Sequence, residues 1–362
     1  MDSLTISDIR ARAVHAPLAR KIRTASGAIE VSPLLLVDVH TRQGVSGHAY
    51  LFGYTPVTLK PLLALLDELK PLLVGQPLVP QARMEQMLQR FRLLGVQGLL
   101  GMLLSTLDMA YWDALGKAAG LPVVQLLGGE ARPVQAYDSY GLVDAENDAA
   151  ALRRSLERGF KGIKIKLGYP DASRDVEVTR GVRELIGPDV ALMVDFNQSL
   201  PPHEAIRRIR MLQDFDLLWI EEPVAAEDLQ GHAQVRKAVS SLGMSIQTGE
   251  NWWFPRDAER ALSAGACDMM MPDLMKIGGI TGWLSVMGMA AAASMPLSSH
   301  LFLEASAHVL AVTPTCHWLE HMDFGSSILA NPCEVIDGCV TAQGPGLGMA
   351  WDEAAVAKYA IG

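Results

Sequence analysis

The chain has 362 residues, of which 49% are hydrophobic and 20% are charged, and its formal net charge is −9. At about 150 residues per domain, this length indicates two domains, and the apolar content excludes a disordered protein. The acidic balance disfavours nucleic acid as a partner, because binding to a polyanion needs a basic surface.

Neither the cysteines nor the apolar runs indicate secretion or a membrane. The four cysteines have no C-x-x-C spacing, so they favour neither a zinc site nor a disulfide framework. Charged residues between Asp2 and Arg12 occupy the place of a signal peptide's apolar stretch, and we expect a cytoplasmic protein. The uncharged run 277–303 contains Pro296 and several polar residues, which predicts a buried helix and strand rather than a membrane span.

The first third of the chain predicts an α+β domain over residues 1–130. Short strands are expected over 4–16, 34–40 and 47–52, which suits an antiparallel meander. Apolar residues then recur at helical spacing, with Pro or Gly near most boundaries, over 56–73, 81–93 and 98–119.

After Gly129 the pattern changes to eight short apolar runs that alternate with amphipathic stretches, in steps of about 21 to 29 residues. This repeat predicts a (β/α)8 TIM barrel over residues 131–321. An open doubly wound sheet is the alternative, but the count of eight and the lack of a G-x-G-x-x-G after a strand favour the barrel. Residues 322–362 are expected to pack back on the first domain.

Nearly all of these runs finish with an ionisable residue. These residues would lie at the C-terminal ends of the barrel strands, where the active sites of such barrels are found. They are Lys164, Lys166, Asp195, Glu221, Glu222, Glu250, Asp273, His300 and Glu320. Any one of them could be a helix cap or a surface charge. Their shared position predicts an active site.

Three of these residues form a candidate metal site. Asp195, Glu221 and Glu250 are separated by 26 and 29 residues, one repeat each, so neighbouring strands bring three carboxylates together. Three anions this close repel one another, and a divalent cation bound between them would offset the repulsion. Because all the ligand atoms are oxygens, Mg²⁺ is the favoured ion. The alternative interpretation is a salt-bridge cluster with Lys164 and Lys166.

Lys164 and Lys166 are two apart on one strand, so both side chains face the barrel interior. At about 6.5 Å and an effective dielectric constant near 20, their repulsion is about 2.5 kcal/mol. With burial and a nearby cation, this predicts that the pKa of Lys166 falls from about 10.4 towards 7 to 8, the range of a general base. If the lysines only neutralise carboxylates, both pKa values are raised instead.

The seventh and eighth runs offer further catalytic groups. His300 is a second candidate base, and Asp273 is placed to orient its imidazole. Glu320 lies near other anions, so we expect a raised pKa and a protonated carboxyl that donates a hydrogen bond. Asn197 is expected on the same face as Asp195, where it could bind a substrate hydroxyl. A base on each side of one carbon is what stereochemical inversion requires.

In these residues the chain resembles the mandelate racemase subgroup of the enolase superfamily. The stretches that carry the resemblance include RPVQAYDS, KIKLGYP, MVDFNQSL, WIEEP, GENW, MPDLMKIGG, SSHLF and HWLE. The departures are Ile165, where the family has Thr, and Tyr140, where it has His. The resemblance implies that Asp195, Glu221 and Glu250 bind Mg²⁺. It implies that Lys166 is the base for the (S)-face proton and that His300, paired with Asp273, is the base for the (R)-face proton. It further implies that the substrate carboxylate contacts Lys164, Glu320 and Ser139 and that the α-hydroxyl contacts Asn197.

The resemblance also implies that the first domain covers the barrel mouth. Its capping loops would be 21–30 and 50–55, and Ile22, Ile29 and Tyr54 would line the substrate site. The implied assembly is a homo-octamer.

The sequence therefore predicts a Mg²⁺-dependent racemase of mandelate or a related aryl 2-hydroxycarboxylate. An acid-sugar dehydratase with the same site is the first alternative, although Ile22, Ile29 and Phe52 argue against a polyol substrate. A cycloisomerase using Lys276 is disfavoured by the pair of His300 and Asp273. A ligand-binding protein derived from an enzyme is disfavoured because every catalytic position is occupied.

Overall fold

The computed structural model describes residues 3–24 and 27–361. The chain begins with three antiparallel strands in the order β1-β2-β3: β1 (Ile6–Thr24), β2 (Gly27–Thr41) and β3 (Ser46–Phe52). Four helices follow: α1 (Leu59–Leu73), α2 (Pro80–Arg90), α3 (Leu99–Ala119) and α4 (Val123–Leu126). The α+β architecture of this domain is as predicted.

The first two strands are longer than the sequence pattern indicated. Within the predicted capping loop 21–30, residues 22–24 pair with 27–29 and continue the ladder between β1 and β2, with Ile22 opposite Ile29. Residues 25 and 26 of that loop lie outside the described residues. The apolar, β-branched residues at facing positions favour pairing beyond the core of the domain. The site is thus covered here by a hairpin.

Helix α3 packs closely on the sheet of the first domain. A Cβ atom on Gly47 of β3 would lie 2.0 Å from the carbonyl oxygen of Ala110 and 2.9 Å from the Cβ of Ala114, so only glycine permits this approach. The other side of α3 contacts the barrel, where the hydroxyl of Thr281 donates to Asp108 at 2.6 Å. Because α3 is covered on both sides, it is apolar around most of its circumference.

The second domain is the predicted barrel. Parallel neighbours run in the order β4-β5-β6-β7-β8-β9, and β10 closes the barrel by pairing with β4. The strands are β4 (Pro133–Leu142), β5 (Gly162–Lys166), β6 (Ala191–Asp195), β7 (Leu217–Glu221), β8 (Ile246–Thr248), β9 (Met269–Met270) and β10 (Leu319–His321). The seventh predicted strand is reduced to bridges: Leu297 pairs with Met270 and Cys316, and His300 pairs with Asp273.

In the described residues, seven helices surround the barrel, and two of them begin at a side-chain cap, Asp171 and Asp228. They are α5 (Ala149–Glu157), α6 (Ala172–Ile186), α7 (Pro202–Met211), α8 (Leu229–Val239), α9 (Phe254–Ala264), α10 (Gly279–Ala292) and α11 (Leu303–Val312). In the described part of the chain, no barrel helix follows β10. The eighth βα unit therefore consists of its strand alone.

The segment after β10, which was expected to pack on the first domain, contacts both domains. Its elements are β11 (Val335–Ile336), β12 (Cys339–Thr341) and α12 (Glu353–Tyr359). Strand β12 pairs with the start of β4, and the indole nitrogen of Trp351 donates to Asp38 of β2 at 2.5 Å.

The uncharged run 277–303 forms α10 and then the buried extended segment around Leu297, as predicted. Over residues 3–24 and 27–361, no helix is both long and apolar enough to cross a membrane.

Candidate active site

Three buried carboxylates meet at the C-terminal ends of the barrel strands. One oxygen from each of Asp195, Glu221 and Glu250 lies within 4.8 Å of the other two. Asp195 and Glu221 are paired in register as the last residues of β6 and β7. Burial raises the pKa of Glu221 well above its ordinary value despite Lys164, and Asp195 and Glu250 raise it further. The set of hard oxygen donors and their mutual repulsion fit a divalent cation such as Mg²⁺.

Lys164 and Lys166 both point into the barrel, as the period of a strand predicts. The ammonium of Lys164 is 2.6 Å from Glu221 and 2.9 Å from Glu320, and its side chain is almost completely buried. The ammonium of Lys166 is 3.3 Å from Asp195 and contacts the amide oxygen of Asn197. Each lysine therefore has carboxylates of the site as its nearest charged neighbours.

The lowered pKa expected for Lys166 beside a bound cation is opposed by its carboxylate neighbours. Burial lowers the pKa of Lys166, but the charges of Asp195 and Glu250 outweigh both burial and repulsion by Lys164, so the net direction is upward. The pKa of Lys164 is also raised well above its ordinary value, because Glu221 and Glu320 outweigh its burial. Raised pKa values for both lysines are the direction expected if the lysines neutralise carboxylates.

His300 is held between carboxylates on both ring nitrogens. Its Nδ1 lies 2.6 Å from Asp273, as predicted, and its Nε2 lies 3.2 Å from Glu250 and 3.7 Å from Glu320. Burial lowers the pKa of His300, but Glu250, Glu320 and Asp273 raise it to about 9. Asp273 fixes the ring so that Nε2 faces the interior of the site.

Glu320 differs from the expectation of a protonated carboxyl. Burial raises its pKa, but Lys164 and His300 outweigh burial and bring the pKa to about 2. Its second oxygen accepts a hydrogen bond from the backbone nitrogen of Leu301 at 3.1 Å. The sequence pattern indicated only the anions near Glu320, whereas the fold also places the cationic groups of Lys164 and His300 beside it.

Several non-glycine residues around the barrel mouth have left-handed backbone conformations, which bulky side chains rarely adopt. Asn197 has a φ of 44°, and this turn lets its backbone nitrogen and its amide donate to Asp195 at 2.7 and 3.0 Å. Leu301 has a φ of 52°, which accompanies the hydrogen bond to Glu320. The strained positions thus hold groups of the site in place.

A cavity of about 200 Å³ lies over these groups. Its polar side, here called the polar floor, consists of Lys164, Lys166, Asp195, Asn197, Glu250, His300 and Glu320. Its other side, here called the apolar wall, consists of Ile22, Ile29, Phe52, Tyr54, Leu301, Met322 and Phe324. The predicted Ile22, Ile29 and Tyr54 all line the cavity.

The sequence interpretation missed three residues of the apolar wall. Leu301 directly follows His300, and Met322 and Phe324 follow Glu320 at alternate positions of the chain. The ring of Phe324 stacks on that of Phe52 with centroids 4.3 Å apart. Extending the alternation past the end of the eighth run would have indicated Met322 and Phe324.

The other singled-out positions lie around the cavity. Ser139 is buried in register with Lys164 and does not line the cavity, so its predicted contact with substrate stays a prediction. Ile165 packs in the core between the barrel and its helices, facing away from the two lysines. Tyr140 is buried, and its hydroxyl lies 2.6 Å from that of Ser155.

A second polar network borders the candidate metal ligands. The amide nitrogen of Asn251 donates to Glu222 at 2.7 Å and to Glu250 at 3.0 Å, and Lys276 donates to its amide oxygen at 2.6 Å. The Lys276 ammonium also lies 4.9 Å from the centroid of the Tyr54 ring. Lys276 is thus engaged beside the cavity and does not line it.

Comparison with known families matches both domains. Residues 6–128 match the mandelate racemase/muconate lactonizing enzyme N-terminal domain, and residues 147–355 match the enolase C-terminal domain-like family. The chain belongs to the mandelate racemase/muconate lactonizing enzyme family of the enolase superfamily. The resemblance seen in the motifs is confirmed at this level.

Known relatives carry several activities. The chain is 36% identical to L-talarate/galactarate dehydratase of Salmonella typhimurium over 67% of its own length and 61% of the dehydratase. It is 32% identical to 3,6-anhydro-alpha-L-galactonate cycloisomerase of Streptomyces coelicolor, over 99% of this chain and all of that one. A solved enolase from Bradyrhizobium, complexed with magnesium and mandelic acid, is 57% identical with a TM-score of 0.97, and the match covers 100% of both chains.

Proposed function

We propose that this protein is a Mg²⁺-dependent racemase of mandelate or a closely related aryl 2-hydroxycarboxylate. The observation that carries the proposal is the cavity itself: an amine and an imidazole stand beside different carboxylates of one candidate metal site, under a wall of apolar side chains. The mandelic acid complex of the Bradyrhizobium enolase supports the same substrate class.

The proposed roles follow from these contacts. Asp195, Glu221 and Glu250 would hold Mg²⁺. Bound there, Mg²⁺ supplies positive charge beside the substrate oxygens, which acidifies the α-hydrogen, and it offsets the carboxylate charges that raise the pKa of Lys166.

The reaction removes a proton from one face of the α-carbon and adds a proton to the opposite face. Lys166 takes the proton from the (S) enantiomer through its Nζ, and His300 returns a proton to the opposite face from its Nε2; in the other direction the roles exchange. Asp273 keeps the His300 ring oriented by its 2.6 Å contact with Nδ1. The charge that develops on the substrate carboxylate faces Lys164, which stabilises it by electrostatic attraction. The substrate anion beside Glu320 favours protonation of that carboxyl, which then donates a hydrogen bond to the same charge.

The test is polarimetry on single enantiomers of mandelate with and without Mg²⁺, together with α-deuterium exchange. In the His300→Asn variant we expect exchange from (S)-mandelate to continue through Lys166, while exchange from (R)-mandelate is lost. An equal loss of exchange from both enantiomers would refute the two-base assignment. Unchanged activity after removal of Mg²⁺ would refute the metal requirement.

An acid-sugar dehydratase is the second candidate, supported by the relation to the talarate/galactarate dehydratase. The apolar wall argues against it, because polyol hydroxyls placed against Ile22, Ile29 and Phe52 would lose hydrogen bonds to water without replacement. A screen of sugar acids for 2-keto products separates the two candidates. The homo-octamer stays a prediction, which sedimentation velocity tests.

A further inference from the structure

Arg20 connects the hairpin that covers the cavity to strand β4 of the barrel. The cover is the distal part of the β1–β2 hairpin, residues 18–24 and 27–31, here called the cap hairpin; it carries Ile22 and Ile29 of the apolar wall. The β1–β2 ladder changes register between Pro17 and Ile22. Arg20 lies within this irregularity, where regular alternation does not dictate the direction of a side chain.

The guanidinium of Arg20 reaches β4 of the barrel. It donates to both oxygens of Asp138, at 3.0 and 2.9 Å, and to the backbone oxygen of Ser139 at 2.7 Å. It also lies over the ring of Tyr140, 3.6 Å from the centroid. Three consecutive residues of β4 thus contact one side chain of the first domain, in the bidentate geometry that arginine alone among side chains provides.

Asp138 is itself fixed from the barrel side. The hydroxyl of Ser155 lies 2.5 Å from one of its oxygens, and Nδ1 of His321 lies 3.1 Å from the other. Burial raises the pKa of Asp138, but His321 and Arg20 outweigh it and lower the pKa, which keeps a charged partner for the guanidinium. Asp138 precedes Ser139, and His321 follows Glu320, so the cluster adjoins two residues proposed to face the substrate carboxylate.

The backbone of the cap hairpin lies directly on the same strand. A Cβ atom on Gly141 would be 2.1 Å from the carbonyl oxygen of Arg23, so this contact leaves no room for a side chain. The Nε of Arg23 donates to the backbone oxygen of Leu142 at 3.1 Å, and its guanidinium contacts Asp148. By contrast, Lys21 pairs with Glu30 at 2.7 Å within the hairpin, and both side chains are largely exposed.

We propose that Arg20 is a positioning residue that holds the cap hairpin closed on β4, and so sets the apolar wall and the carboxylate-binding end of the cavity in one arrangement. It touches no reacting atom. Because only the closed arrangement binds substrate well, loss of the contact lowers the closed fraction and raises KM by the same factor, with kcat little changed. This inference rests on the proposed function for its kinetic part alone.

The test compares Arg20→Gln with Lys21→Gln, a matched loss of charge on the same hairpin that leaves the barrel contact intact. In the Mg²⁺-loaded protein without substrate, we expect amides of the cap hairpin to exchange with deuterium about tenfold faster in Arg20→Gln. KM should rise about tenfold while kcat stays within about twofold. Lys21→Gln should match the wild type in both measurements.

Arg20→Lys serves as the conservative variant and keeps the inference testable if Arg20→Gln does not fold. It retains the charge but loses the bidentate contact, so its exchange and KM should fall between those of the wild type and Arg20→Gln. Hairpin exchange within twofold of the wild type in both Arg20 variants would overturn the inference. Because amide exchange needs no turnover, this failure is distinct from a failure to racemise mandelate.

Discussion

The polar floor and the apolar wall of the cavity are built on opposite principles. Apart from Asn197, the floor consists of charged groups from the ends of barrel strands. They are fixed by close contacts such as the 2.6 Å pairs of Lys164 with Glu221 and of His300 with Asp273. The wall comes from three separate parts of the chain, and its contacts are ring packing such as Phe52 on Phe324. Under the proposed function, the floor would supply the chemistry and the wall would supply selectivity for the side group of the substrate.

If this division holds, the largest effect comes from the candidate metal site, two of whose three carboxylates, Asp195 and Glu250, lie in the floor. In Glu221→Gln, loss of one anionic ligand should weaken Mg²⁺ binding and reduce kcat/KM by at least about a thousandfold. Calorimetric titration with Mg²⁺ and a turnover assay measure both. Glu227→Gln, the same change at an exposed position beyond β7, is the control, and Glu221→Gln activity within tenfold of the wild type would contradict the assignment.

The next largest effect is expected at Glu320, also in the floor. Glu320→Gln keeps an acceptor for the backbone nitrogen of Leu301 but removes the charge between Lys164 and His300. Because the amide is a weaker proton donor than the protonated carboxyl that we propose for the substrate complex, we expect kcat to fall about a hundredfold while KM changes little. Steady-state kinetics at several pH values check this, with thermal unfolding to establish that the variant is folded. A rise in KM with no change in kcat would show that Glu320 contributes to substrate binding only, as expected for a residue of the wall.

A smaller effect with the opposite kinetic signature is expected from the wall. Phe324→Ala removes the ring that stacks on Phe52 and opens the apolar side of the cavity. Lost contact with an aryl group should raise KM for mandelate about tenfold and leave kcat within about threefold. Val57→Ala, at an exposed apolar residue nearby in the sequence, should change neither. A fall in kcat as large as that of Glu320→Gln would break the division between floor and wall.

The smallest effect on activity is expected behind the wall, at Glu304 of α11. Its buried carboxyl accepts a hydrogen bond from Tyr50 at 2.8 Å, and burial raises its pKa from 4.5 to about 7 despite that bond. The folded protein therefore binds this proton more tightly than the unfolded chain. Stability from this group is present below about pH 4.5 and is lost as pH rises to about 7, a change on the order of 3 kcal/mol.

Glu304→Gln removes this titration and should make the free energy of unfolding at pH 8 larger than that of the wild type, with the two proteins alike near pH 4.5. Urea unfolding at both pH values measures the difference, and Glu68→Gln, at an exposed glutamate of α1, is the control. Equal pH dependence in the wild type and Glu304→Gln would show that Tyr50 does not face a protonated carboxyl.

The sequence interpretation was most successful where a side chain's position follows from the repeat. The positions of Asp195, Glu221 and Glu250 were predictable because parallel strands end at one edge of a barrel. It was least successful for charge states: Glu320 has a lowered pKa where a raised one was expected, and carboxylates around Lys166 oppose the lowering expected there. Those directions depend on distances to carboxylates or cations on other strands, which a spacing along the chain does not give.

Contacts between distant segments were also beyond prediction. Arg20 and Asp138 are 118 residues apart, and neither belongs to a motif that points to the other. The extended hairpin that carries Ile22 and Ile29 was taken for a loop, because the pairing of β1 with β2 continues beyond the apolar core that defines a strand in the sequence.

The sequence by itself determined the two-domain architecture, the family and the kinds of groups at the strand ends, because hydrophobic periodicity and repeat length are local properties of the chain. Tertiary structure alone decided which carboxylate meets which cation, how far the cap hairpin extends, and that one arginine joins it to the barrel. Electrostatic interactions depend on distance in space and on burial, and both arise only when segments far apart in the chain are packed together.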